Sequence, residues 1–257
     1  MKNNIVLAFG SDKNYLNKQH FQNYLNSIQR NSNFDRNILC YLGTDDLTLE
    51  YDKIEIFNVD PASIVKPNCN NCIQHGEFLN SESFDEVKDS DVIVFTDGDM
   101  ILQRGLSEKE EMFIRNLKDD DVYVGYNASP TQTLSHEAEC FREKLNPNWK
   151  LNFDKSLDNT KCYNTGVLCM NKKTWRKLKD FYIQQFDLVK SVFKHYAKQQ
   201  WLISYILGSE RFNVFEMGYE LHNHDHCGKV AGTTLGQSNL LEYNNSVILF
   251  KHRHLQT

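Results

Sequence analysis

Two aspartates stand one residue apart in Asp97-Gly98-Asp99, directly behind the apolar run Val92-Ile93-Val94-Phe95-Thr96. A buried strand that ends in two carboxylates offers hard oxygen ligands to one divalent cation, Mg2+ or Mn2+. In open α/β sheets, ligands bind beyond the carboxyl ends of the strands, which is where this pair must lie. Gly98 lets backbone and ligand approach closely. Read as local structure alone, Asp-Gly is ordinary turn chemistry. The four apolar residues in front of Thr96 favour the functional reading.

Histidine is the natural partner for such a pair, because neutral imidazole suits Mn2+ better than Mg2+. His252, in Phe250-Lys251-His252, is one candidate, and the local alternative is a solvated basic tail through His254. His222, His224 and His226 are rivals; in a strand they would share one face, and a histidine-rich loop is the simpler account. Lys229 and Lys251 are candidate phosphate contacts, acting as point charges. A second polar cluster, Cys162-Tyr163-Asn164-Thr165-Gly166-Val167-Leu168, enters an apolar strand, and Gly166 leaves room for a ligand or a neighbouring backbone. Cys69-Asn70-Asn71-Cys72 with His75 would be half of a zinc site, but no second pair follows at the required spacing. Gly232-Thr233-Thr234-Leu235-Gly236 lacks the lysine of a phosphate-binding loop of the Walker type.

The elements that must position these residues follow from the patterning. Ile5-Val6-Leu7-Ala8-Phe9 reads as a strand buried on both faces. Phe21, Tyr24, Leu25 and Ile28 fall at helical spacing and predict a helix over roughly Asn17 to Arg30. Ile38 to Leu42 and Ile54 to Val59 read as strands, and strand–helix–strand order predicts a parallel α/β sheet. Pro61 to Asn71 reads as a loop, and a polar helical stretch follows to about Lys88. Further strands are expected at Val122 to Tyr126, Gly166 to Met170 and Val247 to Phe250. Helices are expected from Lys172 to about Ala197, with Phe181, Leu188, Val189 and Val192 buried, and from Trp201 to Leu207. The long irregular segment from Asn127 to Cys162 calls for a functional role.

Composition narrows the classes. The 257 residues are 40% hydrophobic, 12% aromatic and 25% charged, as in a globular chain. Lys plus Arg number 29 and Asp plus Glu 34, a formal net charge of −5, which argues against sequence-independent nucleic-acid binding. No apolar run reaches the ~18–20 residues that cross a bilayer, and the short run from Ile5 to Phe9 is no signal peptide. Seven cysteines, an odd number, argue for thiols rather than a disulfide framework. The expected location is the cytoplasm, with peripheral attachment to a membrane as a variant.

Five segments in order resemble the GT-A glycosyltransferases, most closely the glycogenin and galactosyltransferase-like group, family 8. Leu7 to Leu16 resembles the opening strand and loop, Val92 to Leu102 the DxD strand, and Tyr163 to Val167 the "FNAGV" strand. Gln199-Gln200-Trp201-Leu202 stands where "DQD" opens a helix, and Phe250-Lys251-His252 resembles the late strand that brings a metal-binding histidine. The resemblance implies an α/β fold with a Rossmann-like, mixed, mostly parallel sheet flanked by helices. It implies one domain over 1–257, with a nucleotide-sugar half at 1–126 and an acceptor-side half at 127–257.

The resemblance also implies an activity: metal-dependent transfer, of hexosyltransferase type and retaining, from a nucleotide-diphosphate sugar to a glycan, lipid-linked or protein acceptor. It assigns the metal, Mn2+ or Mg2+, to Asp97, Asp99 and His252. Nucleotide-sugar contacts fall to Ala8, Phe9, Ser11, Asp12, Tyr15, Lys66, Asp97, Gly98 and Lys251, and catalytic contacts to Asn164 and Gln200. An inverting enzyme would need a carboxylate base near the acceptor, for which Asp158, Glu216 and Asp225 are candidates. Two alternatives stand beside this reading. One is a haloacid-dehalogenase-like phosphatase with Asp97 as nucleophile. The other is a degenerate sugar-nucleotide-binding protein, suggested by the acid groups missing from Gln199-Gln200-Trp201.

Overall fold

In the computed structural model, the described residues are 2–43, 47–59, 87–126, 131–140, 148, 157–192, 198–209, 211–224, 233–235, 241–243 and 246–252. The first strand, β1 (Ile5–Asp12), is buried on both faces. Val6 and Ala8 enter the core on one side of the sheet, and Ile5, Leu7 and Phe9 the core on the other. It leads into a single turn of helix, α1 (Lys13–Leu16), and then α2 (Gln19–Asn31). The helix expected over Asn17 to Arg30 is α2, and α1 is an additional turn ahead of it. Asp12 caps α1, accepting from Tyr15 N at 2.6 Å, and the chain restarts after the extended Lys18. Phe21, Tyr24, Leu25 and Ile28 are all fully buried, as their spacing predicts.

Strands β2 (Arg36–Leu42), β3 (Glu55–Val59) and β4 (Val92–Thr96) complete a parallel half-sheet with β1. After the turn at 97–99 comes the short β5 (Met100–Leu102), then α3 (Glu108–Arg115) and β6 (Asp121–Tyr126). The first turn of α3 is closed by a reciprocal capping box between Ser107 and Glu110. Next come α4 (Leu134–Cys140), β7 (Tyr163–Asn171), α5 (Lys172–Val192) and α6 (Lys198–Leu207). The chain ends in short strands: β8 (Asn213–Met217), β9 (His222–His224), β10 (Thr233–Leu235), β11 (Leu241–Tyr243), β12 (Ser246–Val247) and β13 (Phe250–His252).

The large sheet has seven strands in the order β3-β2-β1-β4-β7-β6-β8, with β7 antiparallel to both of its neighbours. It draws strands from both sides of residue 126. Two three-stranded sheets, β10-β11-β12 and β5-β13-β9, stand beside it.

Several expectations are corrected. The segment from Asn127 to Cys162 contains α4 and a bridge between Thr133 and Lys161. The glycine loop around Thr233 contains β10, and His222 and His224 lie in a strand rather than a loop. Helix α5 buries Trp175, Leu178 and Tyr182, and the expected Phe181 is partly buried against the same core, while the side chains of Leu188, Val189 and Val192 lie outside the described residues. Phe181 lies on its flank, where the Arg211 guanidinium stands 4.4 Å from the ring centre. The final strand splits into β12 and β13, because Gln103 and Arg104 take the carbonyls between them. The loop and helix expected between Pro61 and about Lys88 fall mostly outside the described residues, as do Lys66, Cys69, Cys72, His75, Asp225, His226 and Lys229.

Candidate functional site

The site forms where two ladders end at different heights. Pairing of β1 with β4 stops at Ala8 and Phe95, whereas pairing of β1 with β2 continues to Asp12 and Leu42. The tail of β1 therefore parts from β4, and the turn Asp97-Gly98-Asp99 lies at the mouth of the gap. Gly98 is packed hard against α1 and α2: a Cβ there would stand 2.6 Å from Tyr15 Cε1 and 2.9 Å from Phe21 Cδ2. Only glycine fits at that distance, so Tyr15 and the acidic turn are brought together by a missing side chain.

Beneath the turn, Tyr24 and Thr96 share a buried hydrogen bond between their hydroxyls. Burial drives the Tyr24 phenol far above its ordinary range against the lowering effect of the Thr96 bond, and the charges of Asp97 and Asp99 push it the same way as burial. The tyrosine stays protonated and anchors the end of β4 to α2.

The second wall is β7. Its register with β6 jumps from Val124↔Leu168 to Gly125↔Asn164, so Thr165, Gly166 and Val167 are passed in one step. Such irregularities re-aim a strand beside a functional site. Here the Gly166 carbonyl accepts from Asp97 N at 3.0 Å, and Asn164 Oδ1 accepts from Gly166 N at 2.8 Å. A Cβ at Gly166 would lie 2.8 Å from Asn164 Oδ1, 3.0 Å from Met100 Cε and 3.2 Å from Asp97 Oδ2. Glycine thus keeps open a small space into which an amide oxygen and a carboxylate oxygen both project.

The third wall is β13, whose backbone runs antiparallel to β5 with His252 opposite Met100 and Lys251 opposite Ile101. His252 is thereby level with the residue that follows Asp99 in the chain. On the other side of β13, His224 of β9 is level with His252, and His222 is level with Phe250. His222 itself is buried, and a Cβ at Gly125 would stand 2.7 Å from its Nδ1. Lys251 is level with the half-exposed Ile101, so the two share one face of this small sheet.

The other expected residues divide. Ala8 and Phe9 are buried in the core, so only their main chain is available to a ligand. Ser11 is buried and donates to the Asp12 carbonyl at 3.0 Å, while one Asp12 carboxylate oxygen caps α1. Gln200 lies in the first turn of α6, which Ser204 pins to β7: its hydroxyl accepts from Tyr163 N at 2.9 Å and donates to the Gln200 carbonyl at 2.8 Å. Glu216, a candidate base, lies on β8 at the far edge of the large sheet and is paired with Lys161, so it is removed from the site. Asp158 is in an exposed turn. Thr96, Tyr24 and Met100 contribute to the site without having been singled out in the sequence; the signal for Met100 was its place directly behind the acidic pair.

The donor set fits a hard divalent cation. Two carboxylates one residue apart flank a glycine, a second glycine keeps space open beside one of them, and a histidine position is in register with Met100, the residue that follows the other. Among the described side chains alone, no group of three metal-ligating residues converges.

The chain matches no protein-family model and no curated protein. Among solved structures it is similar to the galactosyltransferase LgtC in complex with donor and acceptor sugar analogues, at a TM-score of 0.58 and 16% identity, covering 98% of this chain and 87% of that one. A second LgtC structure, of an active-site mutant with a glutamine changed to glutamate, gives a TM-score of 0.56 and 15% identity over 96% of this chain and 86% of that one. At such identities the likeness is one of architecture: the chain has a GT-A fold, an α/β arrangement with a mostly parallel seven-stranded sheet between helices, shared with LgtC.

Proposed function

We propose that the protein is a glycosyltransferase that moves a hexose from a nucleotide-diphosphate sugar to a glycan, lipid-linked or protein acceptor, with retention at the anomeric carbon. The observation that carries this reading is the placement of Asp97-Gly98-Asp99 in a GT-A fold. It lies at the carboxyl end of the central β4, with Gly166 against the Asp97 carboxylate and position 252 level with Met100, directly after Asp99.

Asp97 and Asp99 would hold Mn2+ or Mg2+ with His252. A bound cation supplies charge neutralisation and Lewis-acid assistance to a departing diphosphate. Tyr15 and Asp12 border the end of the gap where a nucleoside enters, and the main chain of Ala8, Phe9 and Ser11 lines its side. Asn164 presents an amide oxygen toward the transferred sugar. Gln200, in the first turn of α6 that Ser204 ties to β7, is assigned to the transferred sugar or acceptor. Lys66 and Lys251 are assigned to the phosphates. Residues 1–126 form the donor half and 127–257 the acceptor half of one domain. Free buried thiols at Cys40, Cys162 and Cys169 suit a reducing compartment such as the cytoplasm. Among the described residues, no helix is long and apolar enough to cross a membrane.

The phosphatase alternative has less support. Its acidic motif ordinarily opens a domain, whereas here Asp97 follows the fourth strand and β4 has an antiparallel neighbour, β7.

The test is hydrolysis and transfer from a panel of nucleotide sugars with Mn2+, with and without chelator. Chelation, or Asp99→Asn, is expected to lower the rate by at least about 100-fold. Rates indifferent to both would end the metal-dependent reading. Binding of a nucleotide sugar without turnover would favour the degenerate binding protein, and release of phosphate from simple monoesters would favour the phosphatase.

A further inference from the structure

The strand that carries position 252 is short, and one residue of it, Phe250, is anchored in the core. Each strand of the β5-β13-β9 sheet has three residues, and β13 meets β5 through three pairs. A one-residue slip of such a ladder exchanges its faces; within the ladder it is opposed by one large buried side chain, Phe250. Here the slip would put Lys251 opposite Met100, setting an ammonium-bearing residue level with the residue after Asp99, where the imidazole position now stands.

The polar links that add to this anchor lie just outside the strands. Gln103 N donates to the Leu249 carbonyl at 2.9 Å, Gln103 Nε2 to the Ile248 carbonyl at 3.0 Å, and Arg104 Nε to the Val247 carbonyl at 2.7 Å. Two consecutive residues behind β5 thus grip three consecutive carbonyls ahead of β13. Arg104 is itself held: Glu110 takes two of its guanidinium nitrogens at 2.6 and 2.7 Å, in the paired geometry that fixes orientation as well as position. Glu110 also accepts from Ser107 N at 2.8 Å, which ties the arrangement to the first turn of α3. At the other end of α3, Arg115 pairs with Asp35 at 2.7 Å and donates to the Asn3 carbonyl, next to the start of β1. Helix α3 is therefore a brace between the large sheet and β13.

We propose that Gln103 and Arg104, with Glu110 behind Arg104, form a register lock that sets the affinity of the site for a divalent cation. They are positioning residues that act through the main chain of 247–249 to hold His252 level with Met100. The inference rests on the reading of Asp97, Asp99 and His252 as the metal-binding set.

The experiment is a Mn2+ titration of the metal-free full chain, with free Mn2+ read by electron paramagnetic resonance. It compares wild type, Arg104→Met, His252→Ala and the double variant, and circular dichroism checks each fold. Arg104→Met is expected to weaken Mn2+ binding by roughly 10- to 100-fold, as loss of a support behind a ligand does. The double variant is expected to bind no more weakly than His252→Ala alone, because a lock has nothing left to position. Additive losses, or an unchanged affinity in Arg104→Met beside a weakened His252→Ala, overturn the lock and leave the metal reading intact. An unchanged affinity in His252→Ala overturns the assignment of His252 and the lock with it. If Arg104→Met does not fold, Gln103→Leu, which keeps the main-chain bond and removes one side-chain bond, replaces it; a smaller loss that vanishes in the His252→Ala background supports the lock, and no loss, or one that persists there, overturns it.

Discussion

β4 and β13 approach the same acidic turn, and they are held in opposite ways. β4 has five buried residues and is paired on both sides, with β1 over Val92 to Phe95 and with β7 over Val92 to Thr96. Any slip would carry its apolar side chains out of two cores, at about 1.5–3 kcal/mol for each large one exposed. β13 has three residues, of which Phe250 is sunk in the core, and polar links made outside the ladder add to that anchor. The carboxylate half of the site is thus specified by the same burial that specifies the fold. The histidine half is specified by one buried residue of the strand, Phe250, together with a few hydrogen bonds to the segment ahead of it.

The largest effect that would sharpen this contrast is expected at Gly98. Alanine there drives a methyl into Tyr15 and Phe21, which sit on buried or half-buried elements with little room to yield. A cost of about 1–3 kcal/mol is expected, read as a fall in Tm of about 2–4 °C for each kcal/mol. An unchanged Tm would mean that the acidic turn is as adjustable as β13.

A comparable test within β4 is Thr96→Val, which leaves the buried Tyr24 hydroxyl without its partner. It is expected to cost about 1–3 kcal/mol by denaturant unfolding, and Tyr24→Phe in the same chain is expected to restore most of that. A double variant as unstable as Thr96→Val would show that the hydroxyl pair is not what anchors β4.

The smallest effect concerns the brace. Burial raises the Asp35 carboxyl, but the hydrogen bonds from Arg115 and Ile5 N outweigh it and hold the group below its usual range. A depressed folded value gives stability that is present above the unfolded carboxylate range and lost as pH falls through the folded value. Acid titration of unfolding is therefore expected to show a loss of stability below about pH 4. In Arg115→Met the slope is expected to be shallower, because the ion pairs to Asp35 and Glu111 are gone. Equal slopes would remove the charge contribution from this end of α3.

Much of the large sheet was legible because its strands are buried on both faces and therefore read as unbroken apolar runs: Ile5 to Phe9, Ile38 to Leu42 and Val92 to Phe95. The acidic pair was legible because it interrupts such a run. The small sheets were not, because three residues are too few for any period to show; β5 and β9 passed as ordinary coil. Helix α3 carried a signal, Ser107 followed by Glu110, which a search for apolar stripes alone passes over. That Gly98 and Gly166 are close-approach positions was written in their residue type, but which side chains they admit, Tyr15 in one case and Asp97 in the other, depends on crossings between distant strands. The grip of Gln103 and Arg104 on 247–249 spans more than half the chain and has no local trace.

The pairing of β1 with β4 also sets a timetable for the growing chain. Ile5 meets Val92, and 92 − 5 = 87 residues separate them. At ribosomal speeds of about 5–20 residues per second, one apolar edge of β1 waits roughly 4–17 s for its neighbour. During that interval β2 covers the other edge and α2 can cover one face, but the open edge is a template for any passing strand. A ribosome that pauses before residue 92 displays that edge to the cell, so the hazard in making this protein lies in the stretch between β1 and β4, which closes just as the acidic turn emerges.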